Sequence, residues 1–512
     1  MEVKTRWIPG VLSSVLALFA LLSAGCQGEK YYPPEHFANV REAQAKKLCD
    51  RAQLHAVRSQ HERAIETLKE AINVEPNYAP AHYGLGSVYL ELERHDEAID
   101  ALKEAIRLKP DYAEAYYNLG AAYANSGKPE EGVAAFKEAI RLRPNDAPIY
   151  DNLGVAYLKW ERYADAIEAF EQAIRLDPRL ASSVNPKLAG AYNNLGLEFQ
   201  RLRRHNKAIE AYQQSIRSDP NSSPAYGNLG GAYLTLGRYQ EAVEAYERAI
   251  SRQPTRAYLH RAMGQAYRGL KLYDKSEEAI KKSISLRPND GYSHIELGRT
   301  YVQWKHYEDA EQAFKESIRI RPNDTLGYVE LGRAYMAWEH YDDAERTFDE
   351  LIQMHPDDAS VYMSIGGVYN QHGRHEKSVE MQEHAIRLKP DFYGAYVVLG
   401  SALNRLERYS EALEVLEKAI RLDPNDPVGY ISLANTLGYL DQRKEAIGVL
   451  KKVLLMDPDN PTIHNNLGIE YLSIGDKASA LAEYEALKKL DPEGAERLRR
   501  RIEAGPQATQ EE

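Results

Sequence analysis

The sequence predicts an all-α fold, a solenoid of about thirteen stacked helical hairpins, and three observations carry that expectation. Prolines stand at 76, 110, 144, 178, 220, 254, 288, 322, 356, 390, 424, 458 and 492, each 34 residues from the last except for the 42 between 178 and 220. With that Pro counted as position 32, position 8 is Gly from Gly86 to Gly468, and only Ala52 and Ala434 depart from it. Each block also holds two runs with apolar residues at helical spacing, as in "AEAYYNLGAAYANSG" and "PEEGVAAFKEAIRLR" of 113–146. A fixed period of this length marks stacked repeats, in which no single hairpin buries its apolar face alone.

Residues 1–25 read as an export signal. Lys4 and Arg6 precede an apolar run over 11–22, shorter than the roughly 20 residues a spanning helix needs. The run closes on "SAGC", which resembles a bacterial lipobox, with Ser23 where that motif more often has Leu. The resemblance implies that Cys26 is lipidated and begins the mature chain; the alternative is an ordinary secretory signal with an incidental Cys. In a Gram-negative host, Gln27 after the Cys would then imply the outer membrane, facing the periplasm. Residues 26–44, with Pro33 and Pro34 and no clear period, read as a tether.

The repeats follow as 45–180 (repeats 1–4) and 189–494 (repeats 5–13). Between them "RLASSVNP" at 179–186 supplies the extra residues, and 181–188 is expected to be a surface loop, the alternative being a local change in superhelical pitch. Repeat 1 departs most from the pattern, with Ala52 and His55 where others have Gly and Tyr, as an N-terminal cap would. Residues 495–512 read as a capping helix and a frayed tail.

Within a repeat each column has a physical reason. Gly at position 8 lets the partner helix approach, Ala at position 20 serves the same contact, and Tyr at 11 with an aromatic at 24 fills the space between helices. Gly127 ends a first helix, Pro129 suits the first turn of the second, and "RPND" stops it. The pattern L-G-x2-Y, A-x3-F, P is similar to the tetratricopeptide repeat. The resemblance implies a right-handed α-solenoid that binds other proteins, with positions 2, 5, 6, 9, 12 and 13 of each first helix lining a concave groove.

Composition and motifs exclude several classes. A net charge of −11 leaves no basic surplus for nucleic acid, and two Cys allow no disulfide framework. No HExxH, zinc-type spacing, phosphate loop or GxSxG elbow is present, so no metal or cofactor is expected. Of the 15 His, eight fall at positions 4 and 17, where other repeats have Tyr, and read as structural. Acidic pairs such as Asp342–Asp343 read as solvated turns. Nothing outside the repeats is long enough for a catalytic domain, and the chain reads as a non-enzyme.

Position 6 is the column that packing does not dictate. It holds Asn118, Asn152, Asn194 and Asn228 in consecutive repeats. A side-chain amide both donates and accepts, so a ladder of them suits the backbone of an extended peptide regardless of its sequence. The ladder resembles that of the O-linked N-acetylglucosamine transferase repeat region, without a counterpart of that enzyme's catalytic half. The plainer alternative is a bond to a neighbouring part of the fold. In repeats 8 and 9 the same face carries Glu296 and Arg299, then Glu330 and Arg333. These read first as salt bridges and second as another groove patch. The carboxylate clamp known in such repeats needs Lys at position 5, where this chain has Tyr83, Tyr117, Asp151, Asn193 and Arg261 but no Lys.

The expected function is a membrane-anchored scaffold for proteins or peptides. Envelope polysaccharide export, pilus assembly, or an accessory role beside an envelope glycosyltransferase or peptidase are the alternatives that family analogy suggests.

Overall fold

The structure is a computed structural model that describes residues 34–504, so Cys26 and the signal lie outside the described residues. Those residues form 27 α-helices and one 3-10 turn, and no strand is found among them. They divide into two compact bodies, one ending at Leu180 and one beginning at Ala181.

Each repeat is a pair of antiparallel helices, for example Ala113–Asn125 with Pro129–Leu142. The first helix ends the same way in every repeat. Position 15 has positive φ in all thirteen, as Gly in four cases and as a residue such as Glu93, Lys271 or Asp441 in nine. The N–H of position 16 then reaches back to the carbonyl of position 11, as in Arg94 to Tyr89 at 2.9 Å. A left-handed residue that closes a six-to-one bond is how a helix end satisfies its last carbonyls before the chain reverses.

The two helices close on the position 8 glycine. A Cβ at Gly154 would lie 2.6 Å from Phe170, and one at Gly298 would lie 2.6 Å from Phe314. Both aromatic rings are fully buried. Gly468 in the last repeat meets Leu498 instead, from the helix Pro492–Ala504, which buries Ala495, Leu498 and Ile502 and covers the open end of the array.

Within each body, first helices of successive repeats touch one another, whereas no second helix touches the next second helix. Spacing is therefore shorter on the first-helix side, and each stack bends toward it. The first helices form the inner face of each body for that reason.

Two expectations need correction. The tether does not run to residue 44, because a helix spans Pro34–Val57. Pro34 suits its first position, and Ala45 and Leu48 pack with Ala71 and Ala81. Most of the helix surface is polar and exposed, so no apolar period betrays it. The loop expected at 181–188 is helical too: Ala181–Arg201 is one helix of 21 residues with Pro186 inside it. Val184, Leu188 and Ala191 recur at helical spacing and are buried, which outweighs the one backbone bond that Pro186 forgoes.

Candidate functional site

The ladder residues sit half-buried on the inner helices, and three of them hold a neighbouring repeat. The Asn118 side-chain amide donates to Ser87 Oγ at 2.9 Å, from position 6 to position 9 of the repeat before. Asn152 donates to Tyr117 Oη at 2.7 Å and to the Pro148 carbonyl at 3.1 Å. Asn228 donates to Asn193 Oδ1 at 2.8 Å. In the last repeat Asn466 donates to Asn435 Oδ1 at 2.9 Å, again from position 6 to position 9. For Asn194 no comparable bond is present among the described residues. The column thus stitches first helices together, and it does so through side chains of the adjacent repeat. Asn118 and Asn228 keep one N–H and the carbonyl oxygen outside these bonds, and Asn152 keeps its carbonyl oxygen.

The Glu/Arg set uses the same register with charged groups. Glu296 accepts from Arg268 and Arg299, both at 2.7 Å. Arg299 also donates to Glu330 at 2.9 Å, and Arg333 stands 3.8 Å from Glu330. The five side chains form one alternating chain of charge across repeats 7, 8 and 9. The Glu296 and Glu330 side chains are only 8% and 5% exposed, while Arg299 and Arg333 retain 34% and 38%. Burial alone would raise the Glu296 pKa, but Arg268 and Arg299 outweigh it and hold the carboxyl below its ordinary range. Burial likewise opposes the charge on Arg299, and its bonds to Glu330 and Glu296 overcome that and raise its pKa. Both carboxylates are engaged within the fold, and Arg268 completes a network that a reading of positions 6 and 9 alone does not contain.

Family models place this geometry. One tetratricopeptide repeat model matches 193–257, 329–391 and 431–495, a second matches 111–179 and 254–323, and a TPR repeat model matches 56–93, 86–127 and 400–441, so that together they span most of the chain. The chain belongs to the tetratricopeptide repeat family. No curated protein matches it. Among solved structures it is similar to yeast Tom70, with 17% identity over 90% of this chain and 99% of that one and a TM-score of 0.42. A chain of the Naa15/Naa10 complex bound to HypK-THB shares 17% identity over 86% of this chain and 68% of its own length, with a TM-score of 0.39. A chain of the APC/C hetero-tetramer Cut9–Hcn1 shares 14% over 84% and 97%, with a TM-score of 0.30.

In this tetratricopeptide array the His column at position 4 has a plain structural explanation. His82 Nε2 lies 3.0 Å from the Pro76 carbonyl and His260 Nε2 lies 2.9 Å from that of Pro254. Tyr150, Tyr362 and Tyr396 make the same bond to Pro144, Pro356 and Pro390 at 3.0 to 3.1 Å. His and Tyr interchange here because each carries a donor to the carbonyl of the Pro in the turn after the preceding second helix. No group of three or more His, Cys, Asp or Glu able to hold a metal is found among the described residues. Burial, with Asp50 beside it, pushes the Cys49 thiol up to about 11, so it remains a thiol at neutral pH. No helix among the described residues is long and apolar enough to cross a membrane.

His464 differs from the rest of its column. Its Nε2 lies 3.2 Å from the Pro458 carbonyl and its Nδ1 lies 2.6 Å from Glu483 Oε2, so both ring nitrogens face acceptors. Burial would lower its pKa, but these bonds and the Glu483 charge reverse the sign and raise it. A raised folded pKa contributes stability that is fully present below the ordinary His value of about 6.5 and is lost as pH rises through the folded value. The charged hydrogen bond is worth about 1.5–3 kcal/mol. The denaturant midpoint of the C-terminal body is therefore expected to fall as pH rises beyond the ordinary His value of about 6.5. His464→Gln should remove that slope, and a slope retained in the variant would exclude His464 as its source.

Proposed function

We propose that this chain is a non-catalytic scaffold that holds extended segments of other proteins against the faces lined by the first helices of each body. Asn118, Asn152, Asn194 and Asn228 are the peptide-gripping residues, and Cys26 carries a lipid that anchors the chain at a bacterial envelope. The observation that carries the groove reading is the half-engaged state of the ladder. Asn118 and Asn152 in the first body and Asn228 in the second each bond to a structural partner and keep at least a carbonyl oxygen for a peptide N–H, on the side toward which the stack of their own body bends. Pairing across repeats also holds each amide in one orientation, so less side-chain entropy is lost when a peptide docks. The anchor is supported by the "SAGC" ending of the apolar run. The Glu/Arg chain is assigned to holding repeats 7–9 together, since its carboxylates already face Arg.

The test is a crosslinked pull-down from intact envelopes with the natural chain and with all four Asn replaced by Ala. Each lost inter-repeat bond costs about 0.5–1.5 kcal/mol, so retained helicity is confirmed first by circular dichroism. Specific partners are expected to disappear from the variant. The same partners recovered in the same amounts from a folded variant would overturn the assignment and leave the Asn column purely structural.

A further inference from the structure

Repeats in a stacked array contact only their neighbours. The C-terminal body contains an exception. Asp459, in the turn between repeats 12 and 13, takes two bonds from Asn206 at the start of the second helix of repeat 5. Its Oδ2 accepts the backbone N–H and its Oδ1 accepts the side-chain amide, both at 2.9 Å and across 253 positions of sequence. Beside it Arg203 lies 3.5 Å from Oδ2 of Asp457, a residue that is 3% exposed. On the apolar side, Leu490 from the last repeat joins the buried cluster that contains Ile209, Leu229 and Leu236.

The bonding is chemically sensible. The first N–H groups of the helix His205–Ser218 have no intrahelical acceptor, and Arg204 at its N-cap makes no side-chain cap bond. Asp459 supplies a carboxylate to that end from seven repeats away, where the helix dipole favours negative charge. The bend toward the first helices explains how the two places meet, since the curvature accumulates from repeat to repeat until the turn closes.

We propose that this contact is a clasp that holds repeats 5–13 in one closed turn, and that its opening admits a polypeptide to the first-helix face inside. The proposal rests on the reading of that face as the binding groove and adds its regulation. Among the described residues the contact is small: one carboxylate held twice, one longer ion pair and one leucine, with His205 beside the two carboxylates. Every repeat keeps its own neighbours when the clasp parts, so opening does not unfold any of them. A closed turn excludes a bulky chain from the side, whereas an open one accepts it lengthwise.

The experiment uses the full chain with Cys26→Ser and Cys49→Ser as background. Spin labels at Lys207→Cys and Lys477→Cys, both exposed, report the distance across the clasp. Arg203→Ala with Asp459→Ala is expected to abolish the short, narrow distance peak of the background protein. Arg203→Asp, which sets like charges against Asp457, should do the same. In a separate protein a thiol at Gln303→Cys, on a first helix of repeat 8, is modified by maleimide-polyethylene glycol and by N-ethylmaleimide. The ratio of the polymer rate to the small-reagent rate is expected to rise several-fold when the clasp is removed. An unchanged distance distribution in both clasp variants overturns the clasp, and an unchanged rate ratio overturns the gate. Neither readout involves the Asn ladder, so the groove reading stands or falls separately, on the pull-down.

Discussion

Replacing Glu296 with Ala is expected to destabilise the C-terminal body by about 3 kcal/mol, the lower end of the range for removing one member of a buried ion pair. Glu296 is the centre of the charge chain. Its two oxygens satisfy Arg268, only 16% exposed, and Arg299, 34% exposed. Arg299 keeps Glu330, but Arg268 loses its only carboxylate partner among the described residues while half-enclosed between repeats 7 and 8. Because repeats couple through neighbours, loss of amide hydrogen-exchange protection should centre on the helices Ala257–Gly269 and Gly291–Trp304 and leave repeats 11–13 near their natural values. Glu296→Leu combined with Arg268→Met should recover most of the loss, since an apolar pair of similar volume carries no desolvation penalty. If the double variant is no more stable than Glu296→Ala, the unpaired-charge explanation is wrong. The pH dependence follows from the same group. A depressed folded pKa contributes stability that is present above the ordinary carboxylate value of about 4.3 and is lost as pH falls through the folded value. Acid should therefore loosen repeats 7–8 of the natural protein, and Glu296→Leu with Arg268→Met should be less sensitive.

Gly154→Ala is expected to cost about 1–3 kcal/mol from overpacking. The new Cβ would fall 2.6, 2.7 and 2.9 Å from three atoms of the Phe170 ring, which is fully buried. Leu takes the place of the aromatic elsewhere in the chain, facing Gly at Gly86 and Gly400 and accompanying Ala in two further repeats. The two repeats with Ala at position 8 carry Leu at position 24: Ala52 packs in one cluster with Leu68, and Ala434 in another with Leu450. Gly154→Ala combined with Phe170→Leu reproduces that pair, and should be less destabilised than the sum of the two single changes. Additive losses, measured by thermal unfolding of the two singles and the double, would show that the contact is not what restricts position 8.

The contact between positions 8 and 24 shows what a repeat sequence makes legible. In every repeat but the last the contact lies within one hairpin, between residues 16 apart, so the copies display both the rule and its exceptions. The His/Tyr exchange at position 4 is legible as a substitution pattern for the same reason. Its cause is not, because the acceptor is a main-chain carbonyl that no residue type reveals. The candidate site was legible as a list of residues and not as a set of contacts. Asn118 reaches 31 positions back to Ser87, whereas Asn228 reaches 35 back to Asn193. Which of these registers applies depends on how two first helices are rotated against each other. Arg268 was invisible in the same way, since it stands at position 12 and enters the network only because the neighbouring helix carries Glu296 beside it.

The sequence by itself determined the all-α class, the 34-residue hairpin, the Pro-marked end of each second helix and the residues that pack inside the hairpin. These follow from local amphipathicity, chain-reversal chemistry and side-chain volume, all of which act over a few turns of helix. Only the tertiary structure decided that residues 34–44 and 181–188 are helical, that the Asn and Glu/Arg columns join adjacent repeats, and that Asp459 caps a helix seven repeats away. Each depends on the small rotation between successive hairpins. That rotation is the sum of many side-chain contacts, and its consequences appear only after it has been repeated along the array.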